Sequence, residues 1–279
     1  MKLGAHESAS GGVHNVIGRA FEDGCESLQL FVKSPNRWAA SALTHDEVRL
    51  FLKQGGSFGF SNIVAHSAYL INLASPKDDV RKKSVILMKD ELSRCDLLRI
   101  PFYVVHPGSP IDDSFETGIG RIVQGIDEVY SDHGISAALL LESTAGMGNS
   151  IGGKFEHLQM ICDRVKRADK IGVCLDICHI HAAGYDITEK YAQIIDEVNE
   201  RFGDKIRVIH INDSKNPAGT RKDRHELIGK GTVGIETFRS LVNDKRFKDV
   251  LGIVETPVED GRYKAELDLL KSLRNGVKT

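Results

Sequence analysis

The chain contains no uninterrupted apolar run approaching the roughly eighteen residues of a membrane span, so no transmembrane helix is expected. It has no CxxC pair, and its five cysteines, Cys25, Cys95, Cys162, Cys174 and Cys178, are odd in number and scattered. That excludes a disulfide framework and a zinc ribbon, and leaves small buried core residues as the expectation for each. The N-terminal Met1-Lys2-Leu3-Gly4-Ala5-His6 has no signal-peptide core, which makes a cytoplasmic location the expectation. An excess of charge of one sign is missing too. A net charge of −2 gives no global attraction to polyanions, so any nucleic-acid contact has to come from a local basic rim. There is no GxSxG elbow for a serine nucleophile, no low-complexity stretch and no composition break that would mark a linker. One domain over residues 1–279 is the expectation.

What the chain does have is a repeated unit. Short apolar runs rich in β-branched residues predict strands at Leu3–His6, Ser27–Phe31, Asn62–His66, Phe102–His106, Ala137–Glu142, Val173–Asp176, Arg207–Asn212 and Val250–Glu255. Between them, helical spacing predicts helices over Val13–Asp23, from a Thr44 cap to about Gln54, Asp78–Cys95, Gly118–His133, Phe155–Ala168, Glu189–Phe202, Ile235–Asn243 and 264–274. Glu47, three residues after Thr44, completes a capping box. Strand and helix alternating throughout is the pattern of a (β/α)8 TIM barrel. An open doubly wound sheet is the runner-up, but it would concentrate polar groups at one switch point. Here nearly every strand ends in one, which favours a closed ring.

Those strand ends supply His66, His106, Glu142, Asp176 with His179, His210 and Glu255, and the long loop after the seventh strand adds Asp223 and His225. In a barrel all strand C-termini converge on one mouth. A single histidine in such a place, His66 or His106 alone, is an ordinary hydrogen-bonded loop residue. Five imidazoles and four carboxylates together are another matter, since so much buried charge is costly unless paired. They exceed what one ion can use, whereas two or three divalent ions bridged by carboxylates would satisfy them and would suit phosphoryl transfer. The imidazoles favour zinc, with partial manganese substitution, over magnesium. His6 and His181 lie near the mouth and are expected to orient ligands, while His14, His45, His133 and His157 are expected at the surface. The stretch Gly148-Asn149-Ser150-Ile151-Gly152-Gly153-Lys154-Phe155 resembles a P-loop, but Phe155 stands where the magnesium-binding hydroxyl should be, so a mobile glycine-rich loop at the mouth is the better account. Lys154 and Lys230 fall on loops, not on strands where a Schiff-base lysine would sit.

The motifs Gly4-Ala5-His6, Ala65-His66-Ser67-Ala68-Tyr69-Leu70-Ile71-Asn72-Leu73, Val105-His106-Pro107-Gly108-Ser109, Leu141-Glu142-Ser143-Thr144-Ala145-Gly146, Leu175-Asp176-Ile177-Cys178-His179, His210-Ile211-Asn212-Asp213-Ser214-Lys215, Asp223-Arg224-His225 and Val254-Glu255-Thr256 run from the first strand to the last. Taken together the chain resembles the endonuclease IV family. The resemblance implies a metal-dependent apurinic/apyrimidinic endonuclease with three Zn2+ per chain, and a monomer is the simplest expectation for a barrel whose mouth must grip a duplex. It would cut double-stranded DNA 5′ to an abasic site, leave a 3′-hydroxyl and a 5′-deoxyribose phosphate, and trim blocked 3′ ends. It assigns His66, His106 and Glu142 to one zinc, Glu142, Asp176, His210 and Glu255 to a second, and His179, Asp223 and His225 to a third. Glu142 and Glu255 become the catalytic carboxylates. The family also uses mouth loops to bend DNA and push out the abasic nucleotide. Tyr69 stands at the matching position, Arg37 sits one residue later than the arginine of some members, and Lys215, Arg224 and Lys230 are expected DNA contacts. With Lys33, Lys154, Arg221 and Lys222 they would form the basic rim that the net charge hides. Glu7 and Lys230 depart from the family pattern.

Two other readings remain at this stage. A sugar isomerase or epimerase on a similar barrel would use one divalent metal and a carboxylate base, and would leave His66, His106, His179, Asp223 and His225 idle. A DNA-binding module with structural metals would close its sites, where a catalytic site keeps a water position open.

Overall fold

The computed structural model describes residues 1–131 and 134–274. Eight parallel strands, β1 (Lys2–His6), β2 (Ser27–Phe31), β3 (Ile63–His66), β4 (Phe102–Val105), β5 (Ala138–Glu142), β6 (Ile171–Asp176), β7 (Ile206–His210) and β8 (Leu251–Val254), pair in sequence order and close between β8 and β1. The expected TIM barrel is therefore the architecture, as one domain. Its outer layer is made by α1 (Val16–Asp23), α2 (His45–Phe58), α3 (Asp78–Leu97), α4 (Phe115–Val129), α5 (Phe155–Arg164), α7 (Tyr191–Phe202), α8 (Ile235–Asn243) and α9 (Lys264–Leu273). A short extra helix, α6 (Ile177–Ala183), follows β6 directly, and a two-residue ribbon joins Asp213–Ser214 to His225–Glu226.

Several boundaries differ from expectation for local reasons. The Thr44–Glu47 capping box is formed, with Glu47 N–H donating to Thr44 Oγ1 at 3.2 Å, but α2 runs on to Phe58 and stops only where Gly59 turns left-handed. Helix α5 ends at Arg164, because Val165 is extended and Lys166 N–H is taken by Asp127. Ser114 caps α4, so that the helix starts at Phe115, three residues before the expected start, and the expected end at His133 lies outside the described residues.

Strand alternation places two sets of side chains. One set packs outward against the helices. The other, Val64, Val104, Leu140, Cys174, Val208, Leu251 and Ile253, forms a separate apolar cluster that fills the barrel interior. Side chains two residues on share the same face, so the layer above that floor is His66, His106, Glu142, Asp176, His210 and Glu255. On the β1–β2 side the same step leads from Gly4 to His6 and from Ser27 to Gln29. Gly4 is required there, since a Cβ would stand 1.7 Å from the Ser27 carbonyl oxygen.

Candidate metal centre at the barrel mouth

The upper layer of the barrel opens into a cavity of about 440 Å³ whose walls include His66, His106, Glu142, His179, Asp223, His225 and Glu255. At its centre the Glu142 carboxylate is fully buried and divides its oxygens. Oε2 faces His106 Nε2 at 2.9 Å and His66 Nε2 at 3.2 Å. Oε1 faces His210 Nδ1 at 2.9 Å and His179 Nδ1 at 3.4 Å. His210 Nδ1 also lies 3.3 Å from Glu255 Oε2 and 3.7 Å from Asp176 Oδ2. The ligating atoms of His66, His106 and Glu142 fall within 4.8 Å of one another, as do those of Glu142, Asp176, His210 and Glu255. The remaining residues gather differently. Asp223 puts Oδ2 3.1 Å from His179 Nε2 and Oδ1 3.4 Å from His225 Nε2, and the compact groupings there are Asp176 with His179 and His225, and Cys178 with Asp223 and His225.

The imidazoles are held in one sense. His66 Nδ1 meets the Ser67 carbonyl at 3.0 Å, His179 Nδ1 the Ser143 carbonyl at 2.9 Å, and His225 Nδ1 the Glu255 carbonyl at 3.3 Å. His210 reverses the ring and gives Nε2 to Gln29 Oε1 at 2.9 Å. A carbonyl only accepts, so each of these nitrogens carries a proton, and the other nitrogen, facing carboxylates, is left to hold either a second proton or a metal ion. His225 Nε2 is buried with no hydrogen-bond partner among the described residues. Lone pairs aimed at carboxylates need a cation between them, and carbonyl-anchored imidazoles are the usual outer support of a metal ligand. The donor set therefore fits divalent metal. The titration behaviour agrees. Burial alone would raise the Glu142 carboxyl, yet His106 and His210 outweigh it and hold it well below the usual carboxylate range. Glu255 is held down likewise by His210 and His6. Burial opposes charge on His179, but Asp176 and Asp223 push it well above the ordinary histidine value. The field at this point favours positive charge.

Two polar residues at the mouth escaped the sequence reading. Gln29 is fully buried; its Nε2 donates to Glu255 Oε1 at 2.6 Å and lies 3.0 Å from His6 Nδ1, while its Oε1 takes His210. Asn212 Nδ2 donates to Asp176 Oδ2 at 2.8 Å, and its Oδ1 accepts the Glu255 backbone N–H at 2.8 Å. The signal for Gln29 was present: a lone amide inside an apolar strand, on the inward face. His6 joins the same network through Glu255 Oε1 at 3.1 Å. His181 does not. It points away from the ligands to Thr232 Oγ1 at 3.3 Å, because two more residues along α6 rotate its side chain off the mouth. The helix N-cap is Asp176 itself, whose Oδ1 accepts the His179 N–H at 2.7 Å, so the turn that delivers His179 is fixed by a second candidate ligand.

The outer residues are less uniform than expected. Tyr69 is exposed beside Phe31, with ring centroids 5.3 Å apart, and Arg37, Lys154, Lys215, Arg221, Lys222, Arg224 and Lys230 lie on loops. Lys33 is not part of a rim: it is buried and donates its ammonium to the Arg37 carbonyl. His45 is exposed, but His14 and His157 are half-buried, the latter accepting Gly152 N–H at 3.3 Å; His133 lies outside the described residues. The P-loop-like stretch makes no phosphate cradle. Gly152 lies against the end of β5, where a Cβ would meet the Glu142 carbonyl at 3.0 Å, and Ile151 N–H donates to the Gly108 carbonyl at 2.8 Å.

A closed eight-stranded barrel with imidazoles and carboxylates crowning its interior defines the class. A family described as xylose isomerase-like TIM barrel matches residues 17–273. The chain is 40% identical over 280 residues to a protein of Citrifermentans bemidjiense named probable endonuclease 4, covering 98% of this chain and 99% of that one. Its structure superposes on endonuclease IV from Thermus thermophilus with a TM-score of 0.88 and 32% identity, covering 98% of both chains. A D-tagatose 3-epimerase-like protein, 19% identical with a TM-score of 0.69 over 98% of both chains, shares the fold alone. The chain belongs to the endonuclease IV family, whose members use divalent metal.

Proposed function

We propose that this protein is a DNA-repair endonuclease that hydrolyses the phosphodiester 5′ to an abasic site, leaves a 3′-hydroxyl and a 5′-deoxyribose phosphate, and also trims blocked 3′ ends. The observation that carries the reading is the division of the Glu142 oxygens between two sets of imidazoles, in a chain that belongs to this family. In this reading His66, His106 and Glu142 hold one zinc, Glu142, Asp176, His210 and Glu255 a second, and His179, Asp223 and His225 a third, with manganese able to replace part of it. Bound metal lowers the pKa of water and polarises phosphoryl oxygens. The chain's own residues do the positioning. Gln29 and Asn212 fix both oxygens of Glu255 and one of Asp176, and the carbonyls of Ser67, Ser143 and Glu255 fix three imidazole rings. Tyr69, Arg37, Lys215, Arg224 and Lys230 line the approach as the DNA contacts, with Tyr69 filling the gap left by the abasic nucleotide.

The experiment is a duplex carrying one abasic analogue that cannot undergo β-elimination, beside an undamaged control, each with and without a strong chelator. A chelator-sensitive cut leaving a 3′-hydroxyl, only at the lesion, supports the reading. No cut by zinc-replete protein overturns it and sends the search to sugar substrates. Glu255→Gln keeps the shape of its side chain but loses a ligand charge, so it is expected to lose at least about 100-fold in incision with DNA binding retained. Turnover like the parent's would remove Glu255 from its role.

A further inference from the structure

His225 has one nitrogen committed to a backbone carbonyl and the other, Nε2, buried without a hydrogen-bond partner among the described residues. Two groups of ligating atoms compete for that nitrogen. One is completed by Asp176 and His179; the other is completed by Cys178 of α6 and by Asp223, and in each the three atoms lie within 4.8 Å of one another. Cys178 is fully buried, and its thiol points at the loop that carries the other two, with Sγ 3.7 Å from the Arg224 carbonyl. The side chains of His225 and Asp223 are 20% and 37% exposed, which gives an ion a way in. The mouth grouping offers nitrogen and oxygen only, whereas the second contains sulfur, and sulfur selects soft ions.

We propose that Cys178, Asp223 and His225 form a thiolate-containing metal position for a soft divalent cation of the cadmium class. The three atoms need only draw together slightly to close on one ion, since zinc already sits about 2.3 Å from sulfur and about 2.0 Å from nitrogen and oxygen and a larger soft ion needs less movement. On binding, the sulfur–metal bond forms as the thiol proton leaves to solvent. Thiolate and carboxylate then balance the charge of the ion, and water completes the coordination. One imidazole nitrogen makes one metal bond, so this position and any mouth position that uses His225 exclude each other. A soft ion held beside α6 thus withdraws His225 from the mouth, which makes the protein sensitive to such ions through a residue that does not touch the substrate.

The test titrates cadmium into zinc-replete protein and follows the ultraviolet charge-transfer absorption of a cadmium–thiolate bond, a readout independent of what the mouth hydrolyses. The parent protein and Cys162→Ser are expected to develop the band to the same saturating amplitude, and Cys178→Ser to lose it. Cys178→Ala serves as a second variant, and circular dichroism and zinc content establish that both are folded. A band that persists in folded Cys178→Ser or Cys178→Ala, or that never forms in the parent, overturns the proposal.

Discussion

Four of the five mouth imidazoles have one nitrogen tied to a carbonyl oxygen, so their inner nitrogens are aimed before any ion arrives. Gln29 is the residue on which most of this aiming converges, since it holds Glu255 and His210 at once. Gln29→Leu fills the same space without its polar atoms, and is expected to weaken metal binding by about 10–100-fold, read by competition with a chromophoric chelator. Unchanged affinity would make Gln29 mere filling. Glu7 behaves differently because it has almost no partner: a Cys25 thiol donates weakly at 3.8 Å. Burial first, then Asp23, pushes its carboxyl up to about 7, against the opposing pull of Arg262 and Arg19. A carboxyl raised by folding keeps its proton in the native state while the unfolded chain ionises. Its contribution is therefore complete below the ordinary glutamate value and is lost as pH climbs toward 7. Denaturant midpoints are expected to fall between about pH 5 and about pH 8 in the parent, and to fall less in Glu7→Gln. Equal slopes in the two would assign the pH dependence elsewhere.

At the scale of elements, the capping box of α2 shows how much local chemistry was readable. Thr44 and Glu47 satisfy each other's backbone N–H groups as their spacing required. Thr44→Ala removes one acceptor and is expected to cost about 1 kcal/mol in denaturant unfolding, with metal content unchanged. A loss of metal in that variant would mean that α2 supports the mouth, which no contact of its cap suggests. Helix α6 was not readable in the same way. Its N-cap is a carboxylate that also faces the cluster, and seven residues is too short for periodicity to declare a helix. For the same reason the sequence placed His181 near the mouth, as a group that orients ligands. Only the rotation of a real helix sends His179 inward and His181 toward Thr232.

At the scale of the whole molecule, the mouth collects its candidate ligands from strands and loops that lie far apart along the chain. Bound metal therefore cross-links β3 through β8, and stripping it is expected to destabilise the protein by about 3 kcal/mol when free ion stands near a hundredfold above its dissociation constant. Thermal unfolding with and without chelator measures this, and an unchanged midpoint would mean that the cluster does not hold metal. The sequence by itself determined the eight strands, their closure into a ring and the residues at their upper ends. An apolar strand carrying inward-facing polar residues at a step of two is a local pattern, and local patterns survive in one dimension. What only the tertiary structure decided is how those ends share one another. Which oxygen of Glu142 meets which imidazole, the interposition of Gln29, the burial of Lys33 and the pairing of Cys178 with Asp223 and His225 all depend on distances across the barrel. Those distances are set by closure of the ring and by the rotation of α6, which no spacing along the chain encodes.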